Sequence, residues 1–230
     1  MTPLLKLEHL DAGYGKVSVV RDVDLEVGEG EVVALLGPNG AGKTTTILTV
    51  AGELAHLGGN VRCLGLDDRA SLHERTRAGL ALVTDTHAVF MRMTIAENLR
   101  VFHATADAVV SVFPELASHL DRRVGLLSGG QQQMLALGLA LSRQPALILA
   151  DELSVGLAPI IVDRLFSVLR AAADGGVGVL LVEQHVHKAL AIADRVYVMD
   201  RGRIGITGNA ADLRERLDEI QASYLTGASS

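Results

Sequence analysis

Short, fully apolar segments recur along the chain and are separated by stretches of helical periodicity. The segment VDLEV (23–27) instead alternates apolar and polar residues, as a strand buried on one face does. The continuous runs are typical of parallel strands that are buried on both faces. This order predicts an α/β fold with an open, mostly parallel sheet, whose ligands bind beyond the carboxyl ends of the strands. The runs are VVALL (32–36), LALV (80–83), LILA (147–150) and VLLV (179–182).

The strand pattern stops after about residue 86, and TIAE (94–97) has the form of a capping box at the start of a helix. We therefore expect a small helical insert, a helical subdomain at about residues 86–143. Because no linker or internal repeat separates the remaining elements, we expect residues 1–230 to form a single domain.

Composition narrows the class of protein. With 230 residues and 49% apolar side chains, the chain can bury a full core. A net charge of −6 without a long basic run argues against a nucleic-acid-binding surface. Cys63 is the single cysteine, so no intrachain disulfide is possible and a reducing compartment fits. The N-terminal residues become acidic too early for a signal peptide, and no apolar run reaches about 18–20 residues.

The stretch GPNGAGKTT follows the apolar run VVALL and matches the phosphate-loop pattern G-x-x-x-x-G-K-[ST]. Glycines let successive backbone N–H groups surround an anion, and the helix that follows adds the positive end of its dipole. Lys43 can reach the outer phosphates, and the hydroxyl of Thr44 can bind Mg²⁺. We expect Lys43 to face solvent and to contribute little to stability. The predicted nucleotide-binding residues of this loop are Gly37, Pro38, Asn39, Gly40, Ala41, Gly42, Lys43, Thr44 and Thr45.

The run LILADE places two carboxylates at the end of a predicted buried strand, where an α/β sheet presents its ligands. Asp151 would hold Mg²⁺ through water, and Glu152 would orient the attacking water or accept its proton. The alternative is a solvated pair of acids at the start of a turn. A phosphate loop in the same chain favours the nucleotide site.

The stretch LLSGGQQQ predicts a second anion site. Ser128 can cap a helix that begins near Gln131, and two glycines leave backbone N–H groups accessible. A single bound nucleotide needs only one such anion site. Two chains related by a two-fold axis could each complete the site of the other. An ordinary helix start is the alternative.

In this order, GPNGAGKTT, LSGGQQQ and LILADE resemble the phosphate loop, signature motif and magnesium-binding strand of the ATP-binding subunits of ABC transporters. The resemblance implies a phosphate-loop NTPase core with an N-terminal antiparallel β-subdomain, and ATP and Mg²⁺ as cofactors. It implies a dimer in which the signature motif of one subunit contacts the γ-phosphate held by Lys43 of the other. Tyr14 matches the aromatic residue that stacks on adenine, and SVGLAP (154–159) occupies the place of the D-loop. The implied signature residues are Ser128, Gly129, Gly130 and Gln131.

Within this family, GLAP, VEQH and SYL (223–225) are most similar to the ATPase subunits of branched-chain amino acid importers. Similar subunits serve urea and other amide importers. The resemblance implies a homodimer, or a heterodimer with a second ATPase subunit, on membrane permease subunits, with a solute-binding protein as an indirect partner. It implies a cytoplasmic location, peripheral on the inner face of the cell membrane, and no nucleic-acid partner.

The chain departs from the common family pattern at several positions. Asp85 stands where the family has a glutamine that senses magnesium, and Leu153 replaces the proline after the catalytic glutamate. Gln184 occupies the place of the switch histidine, and His185 follows it. Since neighbouring strand residues point to opposite faces, only one of these two can face the γ-phosphate, and we favour Gln184. The predicted catalytic residues are Glu152, Gln184 and His185, and the predicted magnesium ligands are Thr44, Asp85 and Asp151.

Two further functions remain open from the sequence. One is a soluble ABC-type ATPase in a non-transport assembly, such as iron–sulfur cluster formation. The other is a nucleotide-binding regulator of low turnover, suggested by Asp85 and Gln184. The segment 85–99 bears on the choice, because its apolar residues would contact a permease if they are exposed and would cover the subdomain junction if they are buried. They are Val89, Phe90, Met91 and Met93.

Overall fold

The computed structural model describes residues 2–84 and 89–215. These residues form two β-sheets with helices packed around them. The strands are β1 (Leu5–Tyr14), β2 (Val17–Val27), β3 (Val32–Leu36), β4 (His56–Cys63), β5 (Leu80–Val83), β6 (Leu147–Asp151), β7 (Gly178–Glu183), β8 (Arg195–Asp200) and β9 (Arg203–Asn209). The α-helices are α1 (Lys43–Ala51), α2 (Leu72–Arg77), α3 (Ile95–Val101), α4 (Ala106–Val112), α5 (Gly129–Ser142), α6 (Pro159–Asp174), α7 (Val186–Ile192) and α8 (Ala210–Arg214).

The larger sheet has the strand order β5-β6-β7-β3-β8-β9. Every neighbouring pair from β5 to β8 is parallel, and β9 pairs antiparallel with β8. All residues of β3, β6 and β7 are buried, as their continuous apolar sequences predict. The predicted α/β fold with a mostly parallel sheet is therefore confirmed. The full burial predicted for LALV (80–83) is wrong, because β5 lies at the edge of the sheet and Ala81 and Leu82 are only partly buried.

The sheet separates two hydrophobic clusters. Along β3, Val32, Ala34 and Leu36 belong to one cluster, and Val33 and Leu35 belong to the other. This alternation follows from the period of two in a strand, because successive side chains point to opposite faces. The first cluster includes residues of α5, α6 and α7, and the second includes residues of α1 and the small sheet.

The smaller sheet is antiparallel and has the order β2-β1-β4. It is the expected N-terminal antiparallel unit, and the half-buried segment predicted at 23–27 is the end of β2. A two-residue turn at Gly15 and Lys16 joins β1 to β2, and Gly15 has the positive φ of 60° that such turns require. Tyr14 therefore lies at the tip of a hairpin.

Helices α3, α4 and α5 follow β5 and precede β6, which is the position of the predicted helical insert. The capping box predicted at the start of α3 is present, with reciprocal hydrogen bonds between Thr94 and Glu97. We propose that residues 86–143 form a helical subdomain within a single nucleotide-binding domain of residues 1–230. Residues 86–88 of that range lie outside the described residues.

Candidate nucleotide-binding and hydrolysis site

The phosphate loop connects the end of β3 to α1 at the carboxyl edge of the large sheet. Gly40 and Gly42 have φ angles of 80° and 108°, which residues with a side chain rarely adopt. At Gly37 a Cβ atom would lie 2.3 Å from the carbonyl oxygen of Met199, so only glycine fits there. Pro38, Asn39 and Ala41 occupy the positions between these glycines, and Thr44 and Thr45 lie in the first turn of α1.

Lys43 does not face solvent, which corrects the expectation from the sequence. It is 4% exposed. Its Nζ atom donates hydrogen bonds to the carbonyl oxygens of Gly37 (2.8 Å) and Pro38 (3.1 Å). The same atom lies 3.5 Å from Oε1 of Glu152. The ammonium group is therefore held by its own loop and faces the carboxylate that follows β6.

Glu152 follows β6 immediately after Asp151, which is buried. The backbone of Glu152 has a φ of 51°, a left-handed conformation that is uncommon for a residue other than glycine. Its backbone N–H donates to the carbonyl oxygen of Val182 on the neighbouring strand β7 (2.9 Å). This contact fixes the Glu152 backbone against β7.

Gln184 contacts Glu152 directly, because its Nε2 atom donates a hydrogen bond to Glu152 Oε1 (2.9 Å). His185 is exposed and precedes α7 as its N-cap residue, without a side-chain capping bond. Of the two candidates that follow β7, Gln184 thus lies beside the carboxylate. Glu152 and Gln184 directly follow the neighbouring strands β6 and β7, and Lys43 is the first residue of α1, after the loop that follows the next strand, β3.

A cleft of about 300 Å³ opens at this point, within the usual range for ligand sites. Three larger clefts, of about 670, 640 and 710 Å³, are lined by other parts of the chain, so volume alone does not identify the site. The chemistry of its lining identifies this cleft as the site, because it combines a glycine-rich loop, a lysine, two threonines and a carboxylate. The residues that line the cleft are Val19, Asn39, Gly40, Gly42, Lys43, Thr44, Thr45 and Glu152.

The signature residues lie away from this cleft. Ser128 caps α5 through a capping box with Gln131, in which each side chain accepts from the backbone N–H of the other residue. The helix therefore begins at Gly129, two residues earlier than predicted, because the cap satisfies its first turn. Ser128 and Gly129 are exposed, whereas Gly130 packs against α6, where a Cβ would lie 2.8 Å from Ile161.

For three of the predicted features the structure gives little or no information on the predicted role. Asp85 lies outside the described residues, as does the terminal SYL motif (223–225). Tyr14 is exposed at the tip of the β1–β2 hairpin, and Val19, on the adjacent strand of that hairpin, lines the cleft. The adenine-stacking role of Tyr14 therefore stays a prediction.

The sequence placed Ser154 in the segment matching the D-loop and Glu183 in the VEQH motif, but it predicted neither a role for Glu183 nor the contact between the two residues. Glu183 is the last residue of β7, is fully buried, and accepts hydrogen bonds from the backbone N–H (3.1 Å) and the hydroxyl (2.6 Å) of Ser154. Burial raises the pKa of Glu183, and the hydrogen bonds from Ser154 partly offset that rise. The sequence did contain a sign of this contact: Glu183 directly follows the apolar run VLLV, and a buried acid requires hydrogen-bond partners.

The residues at the loop fit a nucleotide with magnesium. The glycines leave the loop backbone open to phosphate oxygens, and Lys43 supplies a cation. The hydroxyl of Thr44 and the carboxylate of Asp151 offer oxygen atoms, the ligands that Mg²⁺ prefers. A phosphate loop after β3 and acidic residues after β6, which is separated from β3 by β7 in the same parallel sheet, are features of a phosphate-loop ATPase, and the chain has the fold of that class.

Comparison with known proteins gives the family. Residues 20–155 match the family model described as ABC transporter. The chain belongs to the ABC transporter family, and it is an ATPase of that family, as the motifs indicated. ABC ATPase subunits work as dimers with membrane permease components. Within the residues that the structure describes, no helix has the length and apolar character needed to cross a membrane.

Curated relatives fall into two groups by their names. The chain is 38% identical to the high-affinity branched-chain amino acid transport ATP-binding protein BraG of Pseudomonas aeruginosa, over 97% of this chain and 100% of that protein. It is 35% identical to the probable branched-chain amino acid transport ATP-binding protein LivF of Archaeoglobus fulgidus, over 92% and 94%. It is 33% identical to the lipopolysaccharide export system ATP-binding protein LptB of Escherichia coli, over 96% of each.

Solved structures give the same fold. An ATP-binding subunit of an ABC transporter superposes with a TM-score of 0.83 at 26% identity, over 96% of this chain and 99% of that one. The ADP conformation of an ATP-binding cassette of an ABC transporter superposes with a TM-score of 0.85 at 25% identity, over 98% and 99%.

Proposed function

We propose that this chain binds and hydrolyses ATP to energise an ABC importer for branched-chain or related amino acids. The observation that carries the proposal is the convergence of Lys43, Glu152 and Gln184 beside the phosphate loop, at the carboxyl edge of the adjacent strands β3, β7 and β6. The names of BraG and LivF support the cargo. The LptB relatives, at similar identity, make lipopolysaccharide export the second candidate.

The chain's own residues provide the functions that hydrolysis requires. Lys43 binds the β- and γ-phosphates in this proposal, and the 3.5 Å between its Nζ atom and Oε1 of Glu152 supports a site shared by these two residues. Glu152 accepts a proton from the attacking water, and Gln184 orients the Glu152 carboxylate through their hydrogen bond. Thr44 and Asp151, with Asp85, would hold Mg²⁺, which when bound neutralises negative charge on the phosphates.

A second ATPase subunit completes the site in this proposal. The cleft is lined by the phosphate loop and Glu152 but by none of the residues 128–131, so the signature motif is available to the nucleotide of another subunit. An interface with that second subunit requires exposed apolar side chains. Three such side chains lie just before the signature motif or in the segment that follows β6. They are Leu126, Val155 and Ile160.

The segment after residue 88 forms the proposed contact with a permease. Phe90 and Met91 are 48% and 41% exposed. The backbone N–H and carbonyl of Phe90 are bonded to the buried side chain of Asn98, so the loop is held in place. Val89 is partly buried against the core, as the covering interpretation expects of it, whereas Phe90 and Met91 keep much of their surface exposed. This exposure favours the docking interpretation over the covering of the subdomain junction. We place the chain on the cytoplasmic face of the membrane, with a solute-binding protein as an indirect partner and no nucleic acid.

Transport can be tested in cells that express the chain with candidate permease subunits. Uptake of radiolabelled leucine, compared with uptake of urea, distinguishes the amino acid and amide importers. Phe90→Asp and Met91→Asp should abolish association with the permease and uptake, while ATP binding and solubility are retained. Leu57→Asp is a matched control, because Leu57 is 46% exposed on β4.

Two results would contradict the proposal. Unfolding of the Phe90 and Met91 variants would show that these side chains are part of the core. Association with lipopolysaccharide export permeases, without leucine or urea uptake, would assign the chain to the second cargo.

A further inference from the structure

Glu183 is a carboxylic acid at the end of a strand whose residues are all buried. It is itself fully buried, and its neighbours in sequence toward the N-terminus are Leu180, Leu181 and Val182. A carboxyl group in such surroundings destabilises a fold unless its oxygens receive hydrogen bonds. The identity of those donors therefore indicates why the group is there.

The donors belong to Ser154, which lies on the loop between β6 and α6. We call residues 152–158 the β6–α6 loop. The backbone N–H of Ser154 donates to Oε1 of Glu183 (3.1 Å), and its hydroxyl donates to Oε2 (2.6 Å). Ser154 is also buried. Both oxygens of the carboxyl group are thus used to hold one residue of this loop.

The β6–α6 loop starts with a strained residue. Glu152 has a φ of 51°, and a non-glycine residue keeps such a conformation only when surrounding contacts hold it. Three consecutive residues at the end of β7 supply them. Val182 binds the backbone of Glu152, Glu183 binds Ser154, and Gln184 binds the Glu152 carboxylate.

We propose that Glu183 is a positioning residue for ATP hydrolysis: by binding Ser154 through both carboxylate oxygens, it holds the β6–α6 loop against β7 and keeps the Glu152 carboxylate between Lys43 and Gln184. This inference rests on the proposed role of Glu152 in activating water. Without the Ser154 contact, Glu152 is free to relax toward an ordinary negative φ, which moves its carboxylate away from the attacking water. A displacement of about 1 Å can lower a rate 100-fold.

The test compares Glu183→Ala, Glu183→Gln, Ser154→Ala and the double variant Glu183→Ala/Ser154→Ala in the purified chain. The measurements are the rate of hydrolysis at saturating magnesium ATP, the ATP affinity from a nucleotide titration, and the thermal unfolding temperature. Ser154→Ala deletes one hydroxyl and keeps the test valid if Glu183→Ala fails to fold. Ser142→Ala is the matched control, since it removes a hydroxyl bonded to Leu139 at the far end of α5.

We expect Glu183→Ala and Ser154→Ala to lower kcat about tenfold or more, while the ATP affinity changes less than about threefold. The double variant should be no slower than Glu183→Ala, because Glu183→Ala removes both hydrogen bonds with Ser154 and Ser154→Ala removes only the hydroxyl bond, which is one of the same two. Glu183→Gln should recover most of the rate, since its amide oxygen can accept from the Ser154 N–H while its amide NH2 donates to the Ser154 hydroxyl, which can also accept. Ser142→Ala should hydrolyse ATP at the parental rate.

The inference is overturned if a folded Glu183→Ala or Ser154→Ala variant keeps the parental kcat. It is also overturned if the losses multiply in the double variant, if Glu183→Gln is as slow as Glu183→Ala, or if kcat and ATP affinity fall together. Glu152→Gln distinguishes a failure of the positioning role of Glu183 from a failure of the proposed role of Glu152. If that variant is inactive while the Glu183 variants are unimpaired, only the positioning role fails. If it hydrolyses at the parental rate, the role of Glu152 fails and the positioning role fails with it.

Discussion

Replacing Lys43 tests the phosphate loop, and two variants separate the charge of the side chain from its stem. Lys43→Met keeps most of the buried aliphatic chain and removes the ammonium group. Lys43→Ala removes both. In each variant the carbonyl oxygens of Gly37 and Pro38 lose their donor, and Glu152 loses the cation that lies 3.5 Å away.

The loss of stability follows from these contacts. Two hydrogen bonds from a charged donor, at about 1.5 kcal/mol each, give a loss of about 3 kcal/mol for Lys43→Met. Lys43→Ala also removes three buried methylenes, which adds about 2 kcal/mol at roughly 0.8 kcal/mol each. The loss for Lys43→Met is smaller than the stability of about 5–15 kcal/mol that is typical of a domain, so this variant should fold and carries the test. The loss for Lys43→Ala reaches the lower end of that range. The small loss expected from the sequence assumed a solvent-facing lysine.

ATP affinity should fall at least tenfold in both variants, because neither has a cation to bind the outer phosphates. Tenfold corresponds to about 1.4 kcal/mol, less than the worth of one hydrogen bond to a charged group. Urea unfolding measures the stability, and titration with a fluorescent nucleotide measures the affinity. Lys6→Ala is the control, since Lys6 is a partly exposed lysine on β1. Unchanged ATP affinity in Lys43→Met would refute the phosphate-loop assignment.

Three further predictions concern one exposed residue, Tyr14, and two buried ones, Cys63 and Glu183. Tyr14→Ala should weaken ATP binding with little loss of stability, because Tyr14 is 53% exposed; equal affinity would end the adenine-stacking assignment. Desolvation raises the pKa of Cys63 to about 11, so a thiol reagent at about pH 8 should react only after unfolding in urea, and reaction in the native state would contradict its burial. Burial raises the folded-state pKa of Glu183, so its stabilising contribution is fully present below the unfolded pKa and is lost as the pH rises through the folded pKa. The stability of Glu183→Gln relative to the parent should therefore increase from about pH 4 to about pH 7 in urea unfolding, and a constant difference would contradict the shift.

The parts of the fold that depend on local sequence were predictable. The runs VVALL, LILA and VLLV form the buried strands β3, β6 and β7. A parallel strand with helices on both faces buries every side chain, so it requires a continuous apolar sequence, and that sequence can be recognised. The capping box at Thr94 was recognisable for the same reason, since both of its residues lie within one helical turn.

The arrangement within the site depends on contacts between residues that are distant in sequence. Ser154 and Glu183 are 29 positions apart, and Glu152 and Gln184 are 32 apart. The burial of Lys43 depends on carbonyl groups that turn toward it within its own loop, which residue types alone do not specify. For this reason the sequence could nominate Gln184 and His185 together, whereas the fold places Gln184 beside Glu152.

Hydrolysis by Glu152→Gln is the most direct measurement of ATP turnover at this site. The glutamine keeps the oxygen that accepts from Gln184 Nε2, so the local structure should persist while the proton-accepting carboxylate is lost. Glu115→Gln, an exposed glutamate that pairs with Arg164, is the control. We expect hydrolysis to fall at least about 100-fold, ATP binding to be retained, and a closed dimer to accumulate with magnesium ATP in light scattering. Hydrolysis at the parental rate by Glu152→Gln would contradict the assignment of this site.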